Sequence, residues 1–337
     1  MKVGLSGGYF NHPLEEQIKK FQSMPEYLLY EGLRKSGHDV FHFSTGDLPI
    51  RKFDVFHCHH FSRILRYLSI MKRCPLVFTP HNPFVFSPEY DLRLLDRIAL
   101  KRIDALIVLS ELEKEIYVKR FGISEKIHVI PNGLKVELYE RPDKLKSRKK
   151  WNISEDKIMI LFVGQILPYK GLEYLFKAVE SLDVTLVIKS HYISSRLSLN
   201  IMKRAPENTV FINEDLKQKE LTDLYYSCDI YAQPSLAEAL PTVITEAMIC
   251  GKPVVSTFVG GIPEQLPSNC GYLVYPENYK QLKICFERLI YHPSERESFG
   301  HNARIYAMKK YNQEKMIKQH IDVYSELIAR AKGTISI

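Results

Sequence analysis

Short apolar runs alternate with longer amphipathic segments along nearly the whole chain, and this alternation limits the possible folds more than any other feature. The runs have the length and the β-branched content of buried strands, and the segments between them are long enough for helices. Strands joined in this way pair in parallel, because a parallel connection needs a crossover of about a dozen residues or more. The sequence therefore predicts an α/β protein with doubly wound, Rossmann-like parallel sheets that helices cover on both faces.

Six strands are predicted in each half of the chain. The predicted strands of the first half are residues 2–5, 39–43, 55–58, 76–79, 105–109 and 126–130. Those of the second half are residues 158–163, 185–188, 209–211, 230–233, 253–257 and 272–274. Doubly wound sheets bind ligands outside the carboxyl ends of their strands. We therefore expect two sheets whose strand ends face a common cleft.

Length and charge distribution both favour two domains. The chain has 337 residues, more than a single core usually spans. Residues 1–150 carry 26 Lys and Arg against 18 Asp and Glu, which accounts for the whole net charge of +8. Residues 141–150 contain six of these basic side chains and lack apolar periodicity, as linkers do. We expect domains over residues 1–145 and 146–312, followed by a closing helix at about 313–337.

The composition is that of a water-soluble globular protein, with 45% apolar and 26% charged residues. No apolar run approaches the length of about 18 residues that a membrane span needs, and the first residues predict a strand rather than a leader. The six cysteines show no Cys-x-x-Cys spacing, so buried thiols are expected instead of disulfides or a metal site. These features predict a cytoplasmic protein, with the inner face of the membrane as an alternative location.

Two glutamates bracket the start of one predicted helix in the second half. Glu238 lies in the loop before the helix and Glu246 lies inside it, and Gly251 ends it. At helical rise the two carboxylates are about 12 Å apart or closer. Such a pair suits a long ligand with hydroxyls at both ends, and the free amides at the helix start can bind phosphate. The alternative to a ligand-binding pair is that Glu238 is a solvated loop residue and that Glu246 lies on the solvent-exposed face of its helix.

The residues around this pair resemble the motif of the family 4 retaining glycosyltransferases. The matching residues are Pro234, Ser235, Glu238, Glu246, Ala247, Met248, Gly251, Lys252, Pro253 and Val254. Further resemblance lies at residues 37–40, 129–133, 163–165, 170–171 and 260–264, so that it covers nearly the whole chain. It implies the GT-B architecture, with an acceptor-side first domain, a donor-binding second domain and a closing helix that returns to the first domain.

The resemblance implies that the chain transfers a hexosyl group from a nucleotide sugar, such as a UDP- or GDP-sugar, to a hydroxyl and retains the anomeric configuration. Neither a cofactor nor a metal is expected, since no Asp-x-Asp motif occurs. The implied catalytic residues are His81, Glu238 and Lys170. The implied donor-binding residues are Gly7, Gly8, Gly164, Gln165, Lys170, Leu216, Glu238, Leu240, Pro241, Thr242 and Glu246. Lys170 would meet the diphosphate, Glu238 the sugar hydroxyls and Glu246 the ribose diol.

Four departures from the family pattern bear on the site. Gln165 stands where an Arg is usual, and the lost charge weakens one contact by about 1–2 kcal/mol unless another cation substitutes. The strand at 185–191 lacks the usual glycine-rich turn after it. Lys135 stands where an Asp is frequent, and residues 239–242 replace a glycine-bearing loop. The donor therefore cannot be identified from the sequence.

Candidate residues in the first half are single residues and short turns outside a long motif. His81 ends a predicted strand, which would aim it at the cleft, and the resemblance implies contact with sugar or acceptor. Gly7 and Gly8 permit a close backbone approach to a ligand, although a plain tight turn is an equal alternative. Residues 57–60 could suggest a metal cluster, but strand alternation sends neighbouring side chains to opposite faces. Residues 9–22 depart from the usual short loop and are expected to shape acceptor choice.

The first domain would choose the acceptor, which we expect to be a glycan or a lipid-linked molecule. Residues 63–73 carry four basic side chains and no acidic one on an amphipathic helix pattern, which fits an anionic membrane surface. An ordinary helix with its apolar face in the core is the favoured alternative. No nucleic-acid-binding module is recognisable. Two further functions stay open: a nucleotide-sugar epimerase or hydrolase, and a silent protein that binds nucleotide sugar or glycan.

Overall fold

A computed structural model describes residues 1–12, 23–47, 49, 52–87, 89–139, 144–190 and 196–333, without the side chains of 145–147. The chain forms two compact units. The first unit comprises residues 1–135 and 311–337, and the second comprises residues 136–310. Each unit contains a six-stranded sheet in which all described pairs of neighbouring strands are parallel.

The first unit has the strand order β2-β1-β3-β4-β5-β6. Its strands are β1 Lys2–Ser6, β2 Asp39–Phe43, β3 Val55–His59, β4 Leu76–Thr79, β5 Ala105–Val108 and β6 Ile127–Val129. Its helices are α1 Pro25–Lys35, α2 Arg63–Met71, α3 Leu94–Arg102, α4 Glu111–Phe121 and, after the second unit, α13 Gln313–Ala331. The strand order reverses between β1 and β3, so the carboxyl ends of these two strands form the ligand-binding edge typical of such sheets.

The closing helix α13 is part of the first unit. It packs on α1 so closely that a Cβ added to Gly32 would lie 1.8 Å from Cδ1 of Ile317. Its Tyr324 hydroxyl lies 2.7 Å from Nδ1 of His57 on β3, and both side chains are buried. Glycine at position 32 thus permits the contact, and a hydrogen bond inside the core fixes the helix on the sheet.

The second unit has the strand order β12-β11-β10-β7-β8-β9. Its strands are β7 Ile158–Val163, β8 Val184–Lys189, β9 Thr209–Ile212, β10 Ile230–Gln233, β11 Val254–Thr257 and β12 Gly271–Val274. Its helices are α5 Lys144–Lys150, α6 Leu172–Val179, α7 Arg196–Met202, α8 Gln218–Ser227, α9 Thr242–Ile249, α10 Ile262–Gln265, α11 Tyr279–Tyr291 and α12 Pro293–Lys310. On one face of the sheet, Ile160, Phe162, Leu186, Ile188, Ile230 and Ala232 enter a single apolar core.

The prediction that the basic segment is a linker is wrong for residues 144–150. These residues form helix α5 of the second unit. The guanidinium of Arg148 is buried and donates to the carbonyl oxygens of Ser154, Lys157 and Ser227 at 2.8–3.0 Å. It also forms an ion pair with Asp229 at 2.5 Å. A buried cation with this many acceptors holds a segment in place as an apolar side chain would, which a count of charges cannot reveal. Residues 140–143 lie outside the described part of the chain.

The basic helix α2 has its apolar face in the core, because Ile64, Leu65 and Leu68 are buried. Arg66 on the same helix is paired with Asp96 at 2.8 Å. The favoured alternative of an ordinary helix is therefore confirmed for this face. Within the described residues, no helix is both long and apolar enough to cross a bilayer. All six cysteines are free thiols, and four of them are buried.

Candidate active site

The strand order of the second sheet reverses between β7 and β10, which lie side by side at its centre. Ligands of such sheets bind at the carboxyl ends of the two strands where the order reverses. The loop at residues 164–171 follows β7, and the loop at 234–241 follows β10. Most of the donor-binding residues expected in this unit lie on these two loops or at the start of α9.

Lys170 and Glu238 are in direct contact at this edge. The ammonium of Lys170 lies 2.7 Å from Oε1 of Glu238, and their side chains are only 15% and 7% exposed. The same carboxylate oxygen accepts hydrogen bonds from Ser235 Oγ at 2.8 Å and Gln233 Nε2 at 3.1 Å. An oxygen that accepts from three donors is fixed in orientation.

The two loops are held together by their backbones. Gly171 has a φ of +69°, and a Cβ on it would lie 1.9 Å from the carbonyl oxygen of Pro234. Two residues away on each loop, the amide of Leu236 donates to the carbonyl oxygen of Tyr169 at 2.7 Å. Position 171 therefore needs glycine, and the close approach carries Lys170 to Glu238.

The start of α9 lies directly after this loop. Pro241 precedes the first helical residue, Thr242, and no side chain caps the helix there. Amides in the first turn of a helix have no partner within the helix, so they can donate to an anion. Leu240 is buried and Thr242 is half-buried, which places the amides near the surface of the unit.

Glu246 lies inside α9 and is buried, with 3% of its surface exposed. Its Oε2 accepts a hydrogen bond of 2.7 Å from the hydroxyl of Tyr225 on α8. Burial and then the negative charge of Glu246 hold the pKa of Tyr225 well above its ordinary value, so this hydroxyl remains a donor. The alternatives of a solvated loop residue at 238 and a wet-face residue at 246 are wrong, because both carboxylates are buried.

The other expected donor-binding residues of this unit are more dispersed. Gly164 follows β7 and donates its amide to the carbonyl oxygen of Lys189 at 3.0 Å. Gln165 comes next and is exposed. Leu216 is half-buried in the segment after β9, two strands away from β7.

Gly7 and Gly8 follow β1 in the first unit, and His81 follows β4. A Cβ on Gly7 would lie 3.2 Å from Cγ of Glu26 and 3.3 Å from Cβ of His59, so the backbone passes closely between these side chains. Gly8 is half-buried and begins a short 3-10 turn. The expected loop at residues 9–22 lies outside the described residues from 13 onward.

His81 and His59 form a pair. Nε2 of His81 lies 2.9 Å from Nδ1 of His59, and the two rings are nearly parallel at 11°. Burial lowers the pKa of His81 to about 3, and burial also lowers the pKa of His59 well below its ordinary value. Both rings are therefore neutral at physiological pH, and the pair shares a single hydrogen bond between neutral imidazoles.

The remaining histidines of residues 57–60 have other partners. His57 contacts Tyr324 and also Thr79 Oγ1, at 2.8 Å, so both of its ring nitrogens are engaged. His60 lies 3.3 Å from the carboxylate of Glu26. Across the described residues, no three His, Cys, Asp or Glu side chains are grouped as metal ligands would be.

Two family models match the chain. The model for Glycosyltransferase Family 4 matches residues 28–138, and that for Glycosyl transferases group 1 matches residues 143–306. The chain belongs to the family 4 glycosyltransferases. As a glycosyltransferase it is an enzyme of the transferase class, and its two parallel sheets have the GT-B architecture expected from the sequence.

Relatives of this glycosyltransferase are similar over most of its length. An uncharacterised glycosyltransferase of Methanocaldococcus jannaschii is 27% identical, covering 83% of this chain and 77% of the relative. The MMP α-(1→4)-mannosyltransferase of Mycolicibacterium hassiacum is 25% identical, covering 76% of this chain and 66% of the relative.

Two solved structures have the same fold. Sucrose-phosphate synthase of Thermosynechococcus elongatus has a TM-score of 0.81 at 18% identity, covering 97% of this chain and 99% of that one. Anabaena HepE, solved with UDP-glucose, has a TM-score of 0.77 at 19% identity, covering 99% of this chain and 100% of that one.

Some residues around the expected site were not found from the sequence of this glycosyltransferase. Gln233 and Ser235 both hold Glu238: Ser235 belongs to the motif without an assigned role, and its spacing of two residues from Gln233 at a strand end was the available signal for the second. Tyr225 lies on a separate helix, and nothing in the sequence connects it with Glu246. His59 was set aside with its neighbours, although residues two apart on a strand share a face.

Proposed function

We propose that this glycosyltransferase moves a sugar from a nucleotide-sugar donor to a hydroxyl of a glycan or lipid-linked acceptor, with retention of anomeric configuration and without a metal. The observation that carries the proposal is the contact between Lys170 and Glu238 at the strand-order reversal of the second sheet. A cation for phosphate and a carboxylate for sugar hydroxyls lie side by side there. A donor that carries a diphosphate next to a sugar has the matching order of groups.

In this proposal Lys170 and the first-turn amides of α9 bind the diphosphate. Negative charge grows on the nucleoside diphosphate as it leaves, and these preorganised donors stabilise that charge. Oε2 of Glu238 accepts hydrogen bonds from sugar hydroxyls. Glu246 accepts from the ribose diol, with Tyr225 holding its other oxygen.

The acceptor hydroxyl attacks the sugar carbon as an oxocarbenium-like sugar forms. Same-face attack retains the configuration, and the leaving phosphate oxygen takes the proton from the acceptor. His81, neutral and fixed by His59, binds a hydroxyl of the sugar or of the acceptor. No covalent enzyme nucleophile is required in this scheme.

The donor is proposed to be a UDP- or GDP-sugar. HepE was solved with UDP and with UDP-glucose, and this similarity in fold favours a uridine nucleotide as the first candidate. The acceptor chemistry is chosen by the first unit. An anionic membrane surface remains a proposed partner, for which exposed Ile70 and Met71 at the end of the basic helix α2 are the support.

Thermal unfolding against UDP, GDP, ADP, TDP and CMP, alone and as sugar conjugates, tests donor binding. A ligand at 100 times its dissociation constant adds about 2.7 kcal/mol, which shifts the midpoint by several degrees. One nucleotide series should shift the midpoint, and EDTA should not abolish the shift. The absence of a shift with every nucleotide would contradict the proposal.

Turnover of the identified donor separates transfer from other chemistry. A transferase should consume donor slowly by itself and quickly with glycan or lipid-linked acceptors, giving a product with the donor's anomeric configuration. Rapid consumption without acceptor would favour a hydrolase or an epimerase. Glu246→Ala should abolish both donor binding and transfer, and normal transfer by this variant would refute the assigned site.

A further inference from the structure

Lys189 ends β8 in the second unit and has 4% of its surface exposed. Its ammonium has no hydrogen-bond partner within the described part of the chain, and neither has the hydroxyl of the next residue, Ser190. Two other cationic side chains of this unit do have hydrogen-bond partners. Arg148 donates to several carbonyl oxygens, and Lys252 donates to the carbonyl oxygens of Tyr226 and Cys228 at 2.9 and 2.7 Å. Burial of an unsatisfied ammonium is unfavourable, so its retention calls for a ligand.

The side chain lies on the face of the sheet that carries the candidate donor site. Leu186 and Ile188 of β8 point into the apolar core, and side chains alternate along a strand, so Lys189 points to the other face. On β10, Ile230 and Ala232 enter the same core, which puts Gln233 on the face of Lys189. Gln233 is a hydrogen-bond partner of Glu238.

Lys189 is also adjacent to the start of the loop at residues 164–171, where Gln165 stands in place of a cation. It pairs in register with Val163, and its carbonyl oxygen accepts from the amide of Gly164 at 3.0 Å. The following residue is Gln165, which stands where the family usually has Arg. Two departures of this sequence from the family pattern are thus neighbours: the neutral residue at 165, and the end of β8 at Lys189, which is not followed by the usual glycine-rich turn.

We propose that Lys189 binds a phosphate oxygen of the nucleoside diphosphate and supplies the positive charge that Gln165 does not. This inference rests on the proposed donor site and adds to it a second cation beside Lys170. The charged groups that act most on Lys189 are Asp215 and Glu214 beyond β9. Burial lowers the pKa of its ammonium despite these carboxylates, and a bound diphosphate would stabilise the charged form.

The test compares Lys189→Met, Gln165→Arg and the double variant with wild type, by calorimetric titration with UDP and uridine and with GDP and guanosine. Lys189→Met should weaken binding of the diphosphate about tenfold and leave the nucleoside unchanged. Gln165→Arg should restore most of the loss in the double variant. The matched control is Lys177→Met, which removes the same charge from an exposed position on α6 and should leave both affinities unchanged.

Unfolding of the unligated variants separates ligand binding from a structural role. Removal of an unpaired buried ammonium should leave the melting temperature of Lys189→Met unchanged or raise it. A lower melting temperature with equal losses for nucleoside and diphosphate would overturn the proposal in favour of a structural lysine. Unaltered diphosphate binding would overturn it while leaving the donor site intact. Failure of wild type to bind any nucleoside diphosphate would overturn both.

Discussion

The ammonium of Lys170 and the carboxylate of Glu238 form an ion pair of 2.7 Å that is almost entirely shielded from water. The pair joins the loops after two neighbouring strands, so it is a structural link as well as a candidate pair of ligand-binding groups. Removal of one partner of such a pair leaves a buried charge uncompensated, whereas removal of both does not.

Lys170→Met and Glu238→Gln should therefore each destabilise the second unit, by about 3 kcal/mol, and the double variant should lose less than the sum by about 1–3 kcal/mol. Urea unfolding followed by fluorescence measures this unit, because Trp151 is the single tryptophan of the chain. Lys157 and Asp183 provide the control pair, at 2.7 Å but 47% and 86% exposed. Their coupling should stay below about 0.5 kcal/mol, and an equally small coupling for Lys170 and Glu238 would refute the expectation.

Tyr225→Phe removes a donor from the buried carboxylate of Glu246. We expect a loss of about 1–3 kcal/mol in stability, since a buried carboxylate loses a hydrogen bond without gaining water. Trp151 fluorescence in urea again provides the measurement. Tyr291→Phe makes the same chemical change on an exposed residue and should change stability by less than about 0.5 kcal/mol. Equal effects of the two changes would show that the contact with Glu246 does not matter.

The buried histidines should make the first unit sensitive to acid. His59 and His81 have pKa values lowered by burial, in His81 to about 3, whereas unfolded histidine titrates near 6.5. Below about pH 6.5 the unfolded state binds more protons, so stability is full above that pH and falls as the pH decreases toward the folded pKa values. Each such histidine contributes a slope of up to about 1.4 kcal/mol per pH unit.

His59→Gln should remove one such contribution between pH 6 and pH 5. Calorimetric melting over this range measures it, and His301→Gln, a change at an exposed residue of the second unit, should leave the slope unaltered. A wild-type melting temperature that stays constant from pH 7 to pH 5 would refute the neutral state of the cluster.

Gly32→Ala should destabilise the first unit by about 1–3 kcal/mol, because its Cβ would overlap Cδ1 of Ile317 on the closing helix. Ile317→Val removes that methyl group. The double variant should therefore be more stable than Gly32→Ala alone, as measured by calorimetric melting. If the double variant is no more stable than Gly32→Ala, overlap with Cδ1 of Ile317 is not the cause of the lost stability.

The central strands could be predicted because they are buried on both faces of their sheets, which makes most of them near-continuous apolar runs between turns. The same reasoning failed at residues 144–150, where basic composition concealed a buried guanidinium. Arg148 is satisfied by carbonyl oxygens from separate segments around residues 154–157 and 227. Sequence periodicity records the polarity of a side chain and does not record whether distant backbone atoms satisfy it.

At the candidate site, a motif located Glu238, Glu246 and Lys170, and geometry was needed for their surroundings. Tyr225 and Glu246 are 21 positions apart in the sequence and lie on different helices. Lys189 lies beside residues 163–164 only because β7 and β8 pair in this register. Contacts of this kind depend on strand order, which the sequence does not state. His59 and His81 likewise meet because β3 and β4 are neighbours in the first sheet.

The closing helix lies at the end of the chain but completes the core of the unit that begins it. During synthesis on the ribosome, residues 136–310 emerge with all their strands and can fold as a unit. The first unit emerges earlier yet must wait for Ile317 and Tyr324 to reach Gly32 and His57. The nascent chain would therefore finish its second unit before its first, and premature termination near residue 310 would leave a folded second unit attached to an incomplete first one.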